Sequence, residues 1–406
     1  MRILQINNYH YIKGGADRVY FNSIKLLEDN GHLVSNFSSL HSANFQTDYS
    51  RYFIPLNDKR QINLLDKFKS VKSYINNSTA YKNLEILIKE NKPDIAHLHL
   101  YYGGLSSSIL KVLKNYNIPI VQTVHDYRLL CPATAFLDNK NQICEKCKNR
   151  FFLQCTMNRC LERNFFYSSI LTLEAYTRKF LIDPLDYVDH FIFVSNFSKQ
   201  KHIEYNKRFS DKSSMLYNFT FIPERSSISK NRNYFLFFGR ISKEKGLFTL
   251  LEAIKNTNIN LKIAGSGPLQ KDVENYLLNL KNVEFLGHKS GNELEQLINS
   301  ASFILVPSEW YENNPMTIIE AFAHGRPVIG SDIGGIPEIV FNNKTGFIFK
   351  SRSSDNLTRI LNSAGSLRNP DYSNMAIAAR SFAEDNFSPQ SHYSNLIQIY
   401  SKMLKK

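Results

Sequence analysis

Short apolar stretches alternate with helical patterns along the whole chain, which predicts repeated βαβ units and parallel sheets. The strands predicted in the first half are Arg2–Ile6, Ile95–Leu98, Ile120–Thr123 and Phe191–Val194. Those predicted in the second half are Tyr234–Phe238, Leu261–Ala264, Val283–Leu286, Phe303–Val306 and Val328–Ile329. Polar or glycine-containing loops follow these strands, as ligand sites at the carboxyl ends of parallel strands require.

Length and composition fit two globular domains. The chain has 406 residues, of which 43% are hydrophobic and 21% are charged. The polar stretch Asn218–Lys230 contains Pro223 and predicts the change of domain. No apolar stretch approaches the roughly 20 residues of a membrane-spanning helix, and the first residues do not resemble a signal peptide. We therefore expect a cytoplasmic protein.

The segment after the strand Phe303–Val306 predicts an anion site at a helix start. Asn313 and Asn314 suit an N-cap, Pro315 suits the first helical position, and the apolar run MTIIEAFA follows. The unpaired N–H groups of a first helical turn can bind phosphate. A ligand held there by its phosphate could offer hydroxyl groups to Glu312 on the loop and to Glu320 on the helix. Such a site suits a nucleotide sugar.

The two glutamates and the sequence EAFAHGRPVIGSDIGGIPE resemble the signature of the retaining glycosyltransferases of family 4, also called group 1. The resemblance extends through GGADRVYFNSIKLLEDNGH, DIAHLH, TVHDYRLLCP, FFGRISKEKG and IAGSGPL. It implies an α/β GT-B fold, in which two Rossmann-like, doubly wound domains face each other across a deep cleft. Residues 1–218 would bind the acceptor, with a cysteine-rich insert at about 131–160. The last helix, about 388–406, would pack back on that domain, and residues 219–387 would bind the donor.

The resemblance also implies roles for individual residues. Arg240 and Lys245 would stabilise the leaving diphosphate, Glu312 would bind sugar hydroxyls and Glu320 the ribose. His125 would hydrogen-bond a sugar hydroxyl. The remaining donor contacts would come from Asn314, Met316, Thr317, Gly14, Gly15 and Gly265. His97 and His99 are expected to be partly buried histidines with satisfied hydrogen bonds.

Two features qualify these roles. The family often has Gly-Phe-Gly after the first glutamate, where this chain has Asn313, Asn314 and Pro315, so the donor stays open. The chain also lacks a D-x-D motif in a suitable loop, and two cations can take the electrostatic role of a metal. We therefore expect catalysis that needs no metal or other cofactor.

The net charge of +14 is concentrated in the first half of the chain. Residues 1–220 hold 29 Lys and Arg against 19 Asp and Glu, which accounts for +10. The segment 59–72 has five basic residues and one acidic residue, and it suits either a helix on an anionic membrane or a solvated helix. No nucleic-acid recognition motif accompanies the charge, so nucleic acid is not an expected partner.

Four cysteines in the insert have spacings close to those of a metal knuckle. Cys144 and Cys147 form C-x2-C, and Cys155 and Cys160 form C-x4-C after a gap shorter than a zinc ribbon's. Three alternatives remain open: a structural zinc site, reduced thiols, or a redox role.

The expected activity is retaining transfer of a sugar from a nucleotide diphosphate sugar to a glycan or lipid-linked acceptor. Bacterial-type surface polysaccharide synthesis at the cytoplasmic face of the membrane is the expected setting. The alternatives are a nucleotide-sugar epimerase, a sucrose-type synthase, or a non-catalytic scaffold for another transferase.

Overall fold

The computed structural model of the chain describes residues 1–55, 71–224 and 233–405. The chain divides into two compact units, one formed by Met1–Leu216 with Tyr393–Lys406 and the other by Tyr217–His392. The basic segment 59–72 lies outside the described residues except for its last two positions. No helix of the described residues is both long enough and apolar enough to cross a bilayer.

The first unit is built on a parallel sheet with the strand order β3-β2-β1-β4-β5-β6-β7 in the described part of the chain. The strands are β1 Arg2–Tyr9, β2 Leu33–Leu40, β3 Ile54–Pro55, β4 Ile95–Leu98, β5 Ile120–Val124, β6 His190–Phe193 and β7 Ser213–Met215. Its helices include α1 Gly15–Asp29, α2 Ser78–Asn91, α3 Ser108–Asn115, α4 Leu153–Met157, α5 Phe165–Leu181, α6 Pro184–Tyr187 and α7 Asn196–Tyr205. The central strands are buried along their full length, as parallel strands covered on both faces must be.

The second unit contains a parallel sheet with the order β10-β9-β8-β11-β12-β13 in the described residues. Its strands are β8 Phe235–Phe238, β9 Leu261–Ala264, β10 Val283–Phe285, β11 Phe303–Val306, β12 Val328–Ser331 and β13 Gly346–Phe349. Its helices include α8 Leu247–Ile254, α9 Gln270–Leu277, α10 Gly291–Ser300, α11 Met316–Ala323, α12 Ser354–Gly365 and α13 Asn369–Asn386.

Alternation along β8 shows how the second sheet separates two cores. Phe235 and Phe237 belong to one apolar cluster, whereas Leu236 and Phe238 belong to the other. Successive side chains of a strand point to opposite faces, so helices cover the sheet on both sides.

The last helix, α14 Pro389–Leu404, contributes to the core of the first unit. Its residues Leu396, Tyr400 and Met403 pack with Ile3 and Tyr20 in one buried cluster. The hydroxyl of Tyr400 also lies 2.7 Å from Nδ1 of His97.

The nine strands predicted from the sequence are confirmed, with ends that differ by at most three residues. The structure adds β2, β3, β7 and β13, which the sequence analysis did not predict.

Candidate functional site

The second unit gathers charged side chains at the carboxyl ends of two adjacent strands. β8 pairs with β11, and the loops after them begin at Gly239 and Pro307. Because parallel strands place their carboxyl ends at the same edge of the sheet, the two loops meet there.

Lys245 and Glu312 form an ion pair between these loops. Nζ of Lys245 lies 2.6 Å from Oε1 of Glu312 and 5.3 Å from the centroid of the Trp310 ring. The hydroxyl of Ser308 donates a 2.7 Å hydrogen bond to the same carboxylate oxygen. The carboxylate therefore already has a cation and a hydroxyl as partners before any ligand is considered.

Electrostatics keep the buried Glu312 carboxyl ionised. Burial by itself would raise the pKa of Glu312, but the charge of Lys245 and the hydrogen bonds outweigh burial and hold it below its ordinary value. Lys245, which the resemblance assigned to the diphosphate, and Glu312, which it assigned to sugar hydroxyls, thus form an ion pair with each other.

A glycine pair fixes the backbone of Glu312. The Gly335 N–H donates a 2.7 Å hydrogen bond to the Glu312 carbonyl oxygen. Gly334 has φ +63°, and a Cβ at that position would come within 2.3 Å of the same oxygen. Only glycine fits so close an approach in a left-handed conformation. The GGIPE sequence therefore holds the backbone of Glu312, a candidate catalytic residue, in place.

Helix α11 begins one residue later than the sequence predicted. Pro315 has an extended ψ of 123° and is the residue before the helix, so its predicted place in the first turn is wrong. The predicted capping by Asn313 or Asn314 is also wrong, because no side chain caps this helix. The Asn314 amide instead accepts a 2.8 Å hydrogen bond from the Asn218 N–H, which fixes the loop to the start of the unit.

The first turn of α11 keeps two donors available. The N–H groups of Ile318 and Ile319 both donate to the Pro315 carbonyl, at 3.0 and 3.4 Å. Within the described residues, no backbone carbonyl accepts from the N–H groups of Met316 and Thr317. These are the donors that the phosphate prediction requires. Glu320 lies half-buried one turn further along the same helix.

Arg240 and Gly265 lie at the neighbouring strand ends. Arg240 follows β8 and is exposed, and no ion pair joins it to a carboxylate in the described part of the chain. The Gly265 N–H donates to the Gly287 carbonyl at 2.7 Å, and a Cβ on Gly265 would come within 1.9 Å of the Gly239 carbonyl. Gly265 thus allows two loops to touch beside Arg240, whereas its predicted contact with the donor stays a prediction.

In the first unit, His125 is part of a hydrogen-bonded chain across three neighbouring strands. Its Nε2 lies 2.9 Å from Nδ1 of His99, and Nε2 of His99 lies 3.0 Å from Oε1 of Gln5. The two imidazole rings stack with centroids 5.2 Å apart. The prediction that His97 and His99 are hydrogen-bonded is confirmed, and both are buried more completely than expected, but the sequence did not predict the link from His99 to His125.

This chain of hydrogen bonds, as oriented here, fits one tautomer of His125. Burial lowers the pKa of His125 to about 3, so the ring is neutral near pH 7. With the Gln5 amide oriented so that its carbonyl oxygen faces His99, His99 donates from Nε2 and accepts at Nδ1. His125 then donates from Nε2 and carries its lone pair on Nδ1. It is an acceptor for a hydroxyl, as the predicted sugar contact requires.

The glycine loop at the start of α1 is closed by an aspartate that the sequence analysis did not single out. Gly14 is the N-cap of α1 and Gly15 is its first residue. The Gly14 N–H donates to the Asp17 carboxylate at 3.0 Å, and the Asn7 side chain donates to the same carboxylate at 2.9 Å. The N–H group of Gly14 is therefore already paired with Asp17. The predicted contact of Gly14 and Gly15 with the nucleotide sugar stays a prediction. An acidic residue two positions after Gly-Gly, at the third position of the helix, was the available signal.

A buried ionic network holds the loop that follows His125. Glu174 of α5 accepts from Arg128 at 3.1 Å and from Arg178 at 3.0 Å. Arg178 also donates to the Arg128 carbonyl at 2.9 Å, and Arg128 donates to the Pro132 carbonyl at 2.8 Å. All three charged side chains are buried. The loop carrying the His-Asp-Tyr motif is thereby tied to α5.

The insert brings its cysteines into a small core of their own. Cys147 and Cys155 are buried with Phe152, and Cys160 packs against them. All five cysteines are free thiols, and none forms a disulfide. A hydrogen bond with Cys155, together with burial, raises the pKa of the Cys160 thiol, and burial raises the pKa of Cys131 to about 11.

These thiols do not form a ready metal site as the structure places them. Among the described residues, no group of three or more His, Cys, Asp or Glu side chains is positioned to hold a metal ion. Zinc binding by Cys144, Cys147, Cys155 and Cys160 stays a prediction.

Comparison with known proteins gives consistent matches along the chain. The model described as Glycosyltransferase Family 4 matches residues 13–220, and the one described as Glycosyl transferases group 1 matches residues 218–382. An uncharacterised glycosyltransferase of Methanocaldococcus jannaschii is 26% identical over 88% of this chain and 86% of its own length. The lipopolysaccharide 1,2-N-acetylglucosaminetransferase of Salmonella typhimurium is 26% identical over 45% of this chain and 51% of its own.

A solved structure gives the corresponding result for the fold. Anabaena HepE, solved in complex with UDP-glucose, superposes with a TM-score of 0.67 at 18% identity, covering 99% of this chain and 100% of that one. The two parallel sheets described above have the same α/β organisation. The chain therefore belongs to glycosyltransferase family 4, the group 1 glycosyltransferases, and has the GT-B fold.

Proposed function

We propose that this glycosyltransferase moves a sugar, with retention of configuration and without a divalent metal, from a nucleotide diphosphate sugar to a glycan or lipid-linked acceptor. The proposed setting is surface polysaccharide synthesis at the cytoplasmic face of the membrane. Two relatives favour this setting and donor class, since one acts on lipopolysaccharide and the other was solved with UDP-glucose.

The observation that carries the proposal is the Lys245 and Glu312 pair beside the open first turn of α11. Nζ of Lys245 is 2.6 Å from the carboxylate, and Glu312 lies four residues before the helix start at Met316. A diphosphate held by the N–H groups of Met316 and Thr317 would have an ammonium nearby to balance its charge. The carboxylate would remain to accept from sugar hydroxyls.

The proposed reaction exchanges one bond at the anomeric carbon of the sugar. The bond from that carbon to the β-phosphate oxygen breaks, and the acceptor oxygen bonds to the same face of the ring. The acceptor proton passes to the departing phosphate oxygen, so no protein base is required. Lys245 and Arg240 would stabilise the negative charge that develops on the diphosphate.

The state of His125 agrees with a binding role. A histidine whose pKa is lowered to about 3 is a poor base near pH 7. Its Nδ1 lone pair can still accept a hydrogen bond from a sugar hydroxyl. We assign it to positioning the sugar through that contact.

A thermal-shift panel tests the donor site. UDP-, GDP-, ADP- and CMP-sugars are compared, each with EDTA and with Mg²⁺. At 100 times Kd a ligand stabilises the fold by about 2.7 kcal/mol, which is a shift of several degrees. We expect one of the three nucleoside diphosphate classes to stabilise the protein equally with and without metal, whereas the CMP-sugar, which has a single phosphate, should not.

Matched variants show whether the effect comes from the proposed site. Glu320→Ala should abolish the shift, whereas Glu274→Ala, on helix α9 of the same unit, should keep it. Stabilisation that survives Glu320→Ala would contradict the assigned site. Conversion of the donor to an isomer without acceptor would indicate an epimerase. No shift with any donor, in a folded protein, would favour a scaffold.

A further inference from the structure

Helix α5 buries four polar residues together with Leu171 and Ala175, and it exposes most of its large apolar residues. Ser168, Thr172, Glu174 and Arg178 are buried on its inner face. On its outer face Phe166, Leu173 and Phe180 are 55%, 52% and 70% exposed. A surface helix of a globular protein normally has the opposite arrangement.

Strong inward contacts hold this orientation. Glu174 is bound by Arg128 and Arg178, whose side chains are only 6% and 5% exposed. Thr172 accepts a 2.8 Å hydrogen bond from Thr156 and donates to the Phe152 carbonyl at 3.2 Å. Turning the helix to bury its aromatic side chains would expose or break these contacts. The outward apolar face is therefore a fixed feature of the unit.

The outward residues form a continuous stripe. Phe166, Ile170, Leu173, Thr177 and Phe180 follow one another at alternating intervals of four and three residues, which places them on one side of the helix. Tyr176 stacks on Phe180 with centroids 6.2 Å apart. Phe165 and Leu181 extend the stripe at its ends, with 59% and 66% exposure.

Helix α4 of the insert widens the stripe. The Leu153 N–H donates to the Tyr176 hydroxyl at 3.3 Å, so the two helices meet at the aromatic face. Leu153 and Met157 are 44% and 65% exposed. We call the exposed apolar residues of α4 and α5 the apolar face. An exposed apolar surface of this extent on a soluble unit marks a contact with a membrane or a partner.

Charge identifies the occupant. Residues 140–181 hold eight Lys and Arg against three Asp and Glu, a local net charge of +5. Glu174 is the one acidic residue in the sequence of α5, and it is buried. Nζ of Lys179 lies 4.9 Å from the centroid of the Phe180 ring, at the edge of the apolar face. A second copy of the chain would bring like charges together, whereas an anionic lipid surface complements both features.

We propose that the apolar face of α4 and α5 docks the first unit on an anionic lipid bilayer. The aromatic and aliphatic side chains would enter the boundary between head groups and acyl chains, with Lys179 reaching the head groups. This goes beyond the proposed function, because it concerns where the enzyme is held and does not depend on which donor or acceptor it uses.

Sedimentation with lipid vesicles tests the docking surface on the full-length protein. Vesicles of phosphatidylcholine and phosphatidylglycerol in equal parts are compared with vesicles of phosphatidylcholine alone. We expect binding to the anionic vesicles that weakens at high salt. The variant Phe166→Ser/Leu173→Ser/Phe180→Ser should bind at least about tenfold more weakly.

The control variant changes exposed apolar residues elsewhere. Leu278→Ser/Ile377→Ser alters positions of the second unit that are 84% and 54% exposed, and it should bind vesicles like the wild type. Equal binding by the wild type and the triple variant would overturn the proposal. So would self-association that the triple variant abolishes, in a protein that ignores vesicles, because the face would then bind a second copy.

Donor binding separates this proposal from the previous one. The triple variant should keep the thermal shift with the nucleotide sugar and its circular dichroism melting profile, since the three side chains are exposed. Loss of vesicle binding with donor binding intact would support docking alone. A wild type that binds vesicles but no donor would contradict the proposed function and leave docking supported.

Discussion

The two units each carry polar side chains at the carboxyl ends of central strands, but they differ in charge. In the second unit Lys245 and Glu312 are ionised and 2.6 Å apart. In the first unit Gln5, His99 and His125 are linked by hydrogen bonds, and the pKa of His125 is lowered to about 3 by burial. A transferred sugar presents the same contrast, with a charged diphosphate on one side and neutral hydroxyls on the other. The charged cluster of the second unit therefore suits a diphosphate, and the neutral cluster of the first unit suits hydroxyl groups.

Removing the cation should have the largest effect on this comparison. Lys245→Met should lower kcat by about 10²- to 10³-fold, the loss typical of removing one electrostatic contact to a transition state. It also leaves the Glu312 carboxylate buried without its cation, which costs about 3–5 kcal/mol of stability for a charge that stays ionised. Steady-state kinetics and chemical denaturation measure the two effects separately.

A double variant distinguishes catalysis from folding. Lys245→Met/Glu312→Gln should recover much of the stability, because no charge is left unpaired, and should stay inactive. Glu309→Gln is the control, because Glu309 lies on the same loop as Glu312. Its carboxylate accepts a 2.6 Å hydrogen bond from Thr249 of α8. Normal activity of folded Lys245→Met would show that the pair is structural only.

Acidification should separate the two units by stability. Burial lowers the pKa of His125 to about 3 and that of His10 and His202 to about 4, all in the first unit. In the second unit burial lowers the pKa of His392 to about 4 and also lowers the pKa of His324, as it does for His32 in the first unit, so four such histidines in the first unit stand against two in the second. Between pH 6.5 and 4 these histidines become protonated in the unfolded chain but stay neutral to a lower pH in the folded one. The free energy of unfolding then falls with falling pH, by at most about 1.4 kcal/mol per pH unit for each histidine.

The first unit should therefore lose stability faster than the second below pH 6.5. The buried carboxyl groups whose pKa is lowered, Glu174 in the first unit and Glu312 in the second, lose their contribution only at lower pH. Burial raises the pKa of Asp17 and Asp126 in the first unit, which offsets part of the histidine effect as the pH falls. Hydrogen exchange at pH 7 and 5, corrected for intrinsic rates and read on peptides of each unit, measures the difference. Parallel loss of protection in both units would argue against it.

The sequence predicted most of the apolar strands and missed the polar and very short ones, although it also missed the apolar strand β13. β8 and β11 consist of apolar residues and were predicted within one residue. β2 has the sequence LVSNFSSL, and its serines and asparagine are buried, so it does not look like an apolar strand. β7 and β3 are only three and two residues long. A polar strand becomes recognisable only when its neighbours in the sheet are known.

The candidate site was predicted residue by residue but not contact by contact. The motifs indicated Lys245 and Glu312 separately, whereas their ion pair depends on β8 lying beside β11. The link from His125 to Gln5 likewise depends on the strand order β1-β4-β5, which no spacing in the sequence gives. The buried Glu174 network and the inverted helix α5 depend on tertiary packing in the same way.

The smallest expected effect concerns the tautomer of His125. Gln5→Leu removes the carbonyl that accepts from Nε2 of His99, so His99 is free to donate from Nδ1 toward His125. His125 would then accept at Nε2 and carry its proton on Nδ1, which makes it a donor where it was an acceptor. We expect KM for the nucleotide sugar to rise about tenfold while kcat changes little, because one hydrogen bond is worth about 1 kcal/mol or slightly more. Nitrogen chemical shifts of the imidazoles report the tautomer directly, and Gln122→Leu, another buried glutamine, is the control. If His125 kept its proton on Nε2 in Gln5→Leu, the hydrogen-bonded chain would not set its tautomer, and the neutral cluster would contribute shape alone.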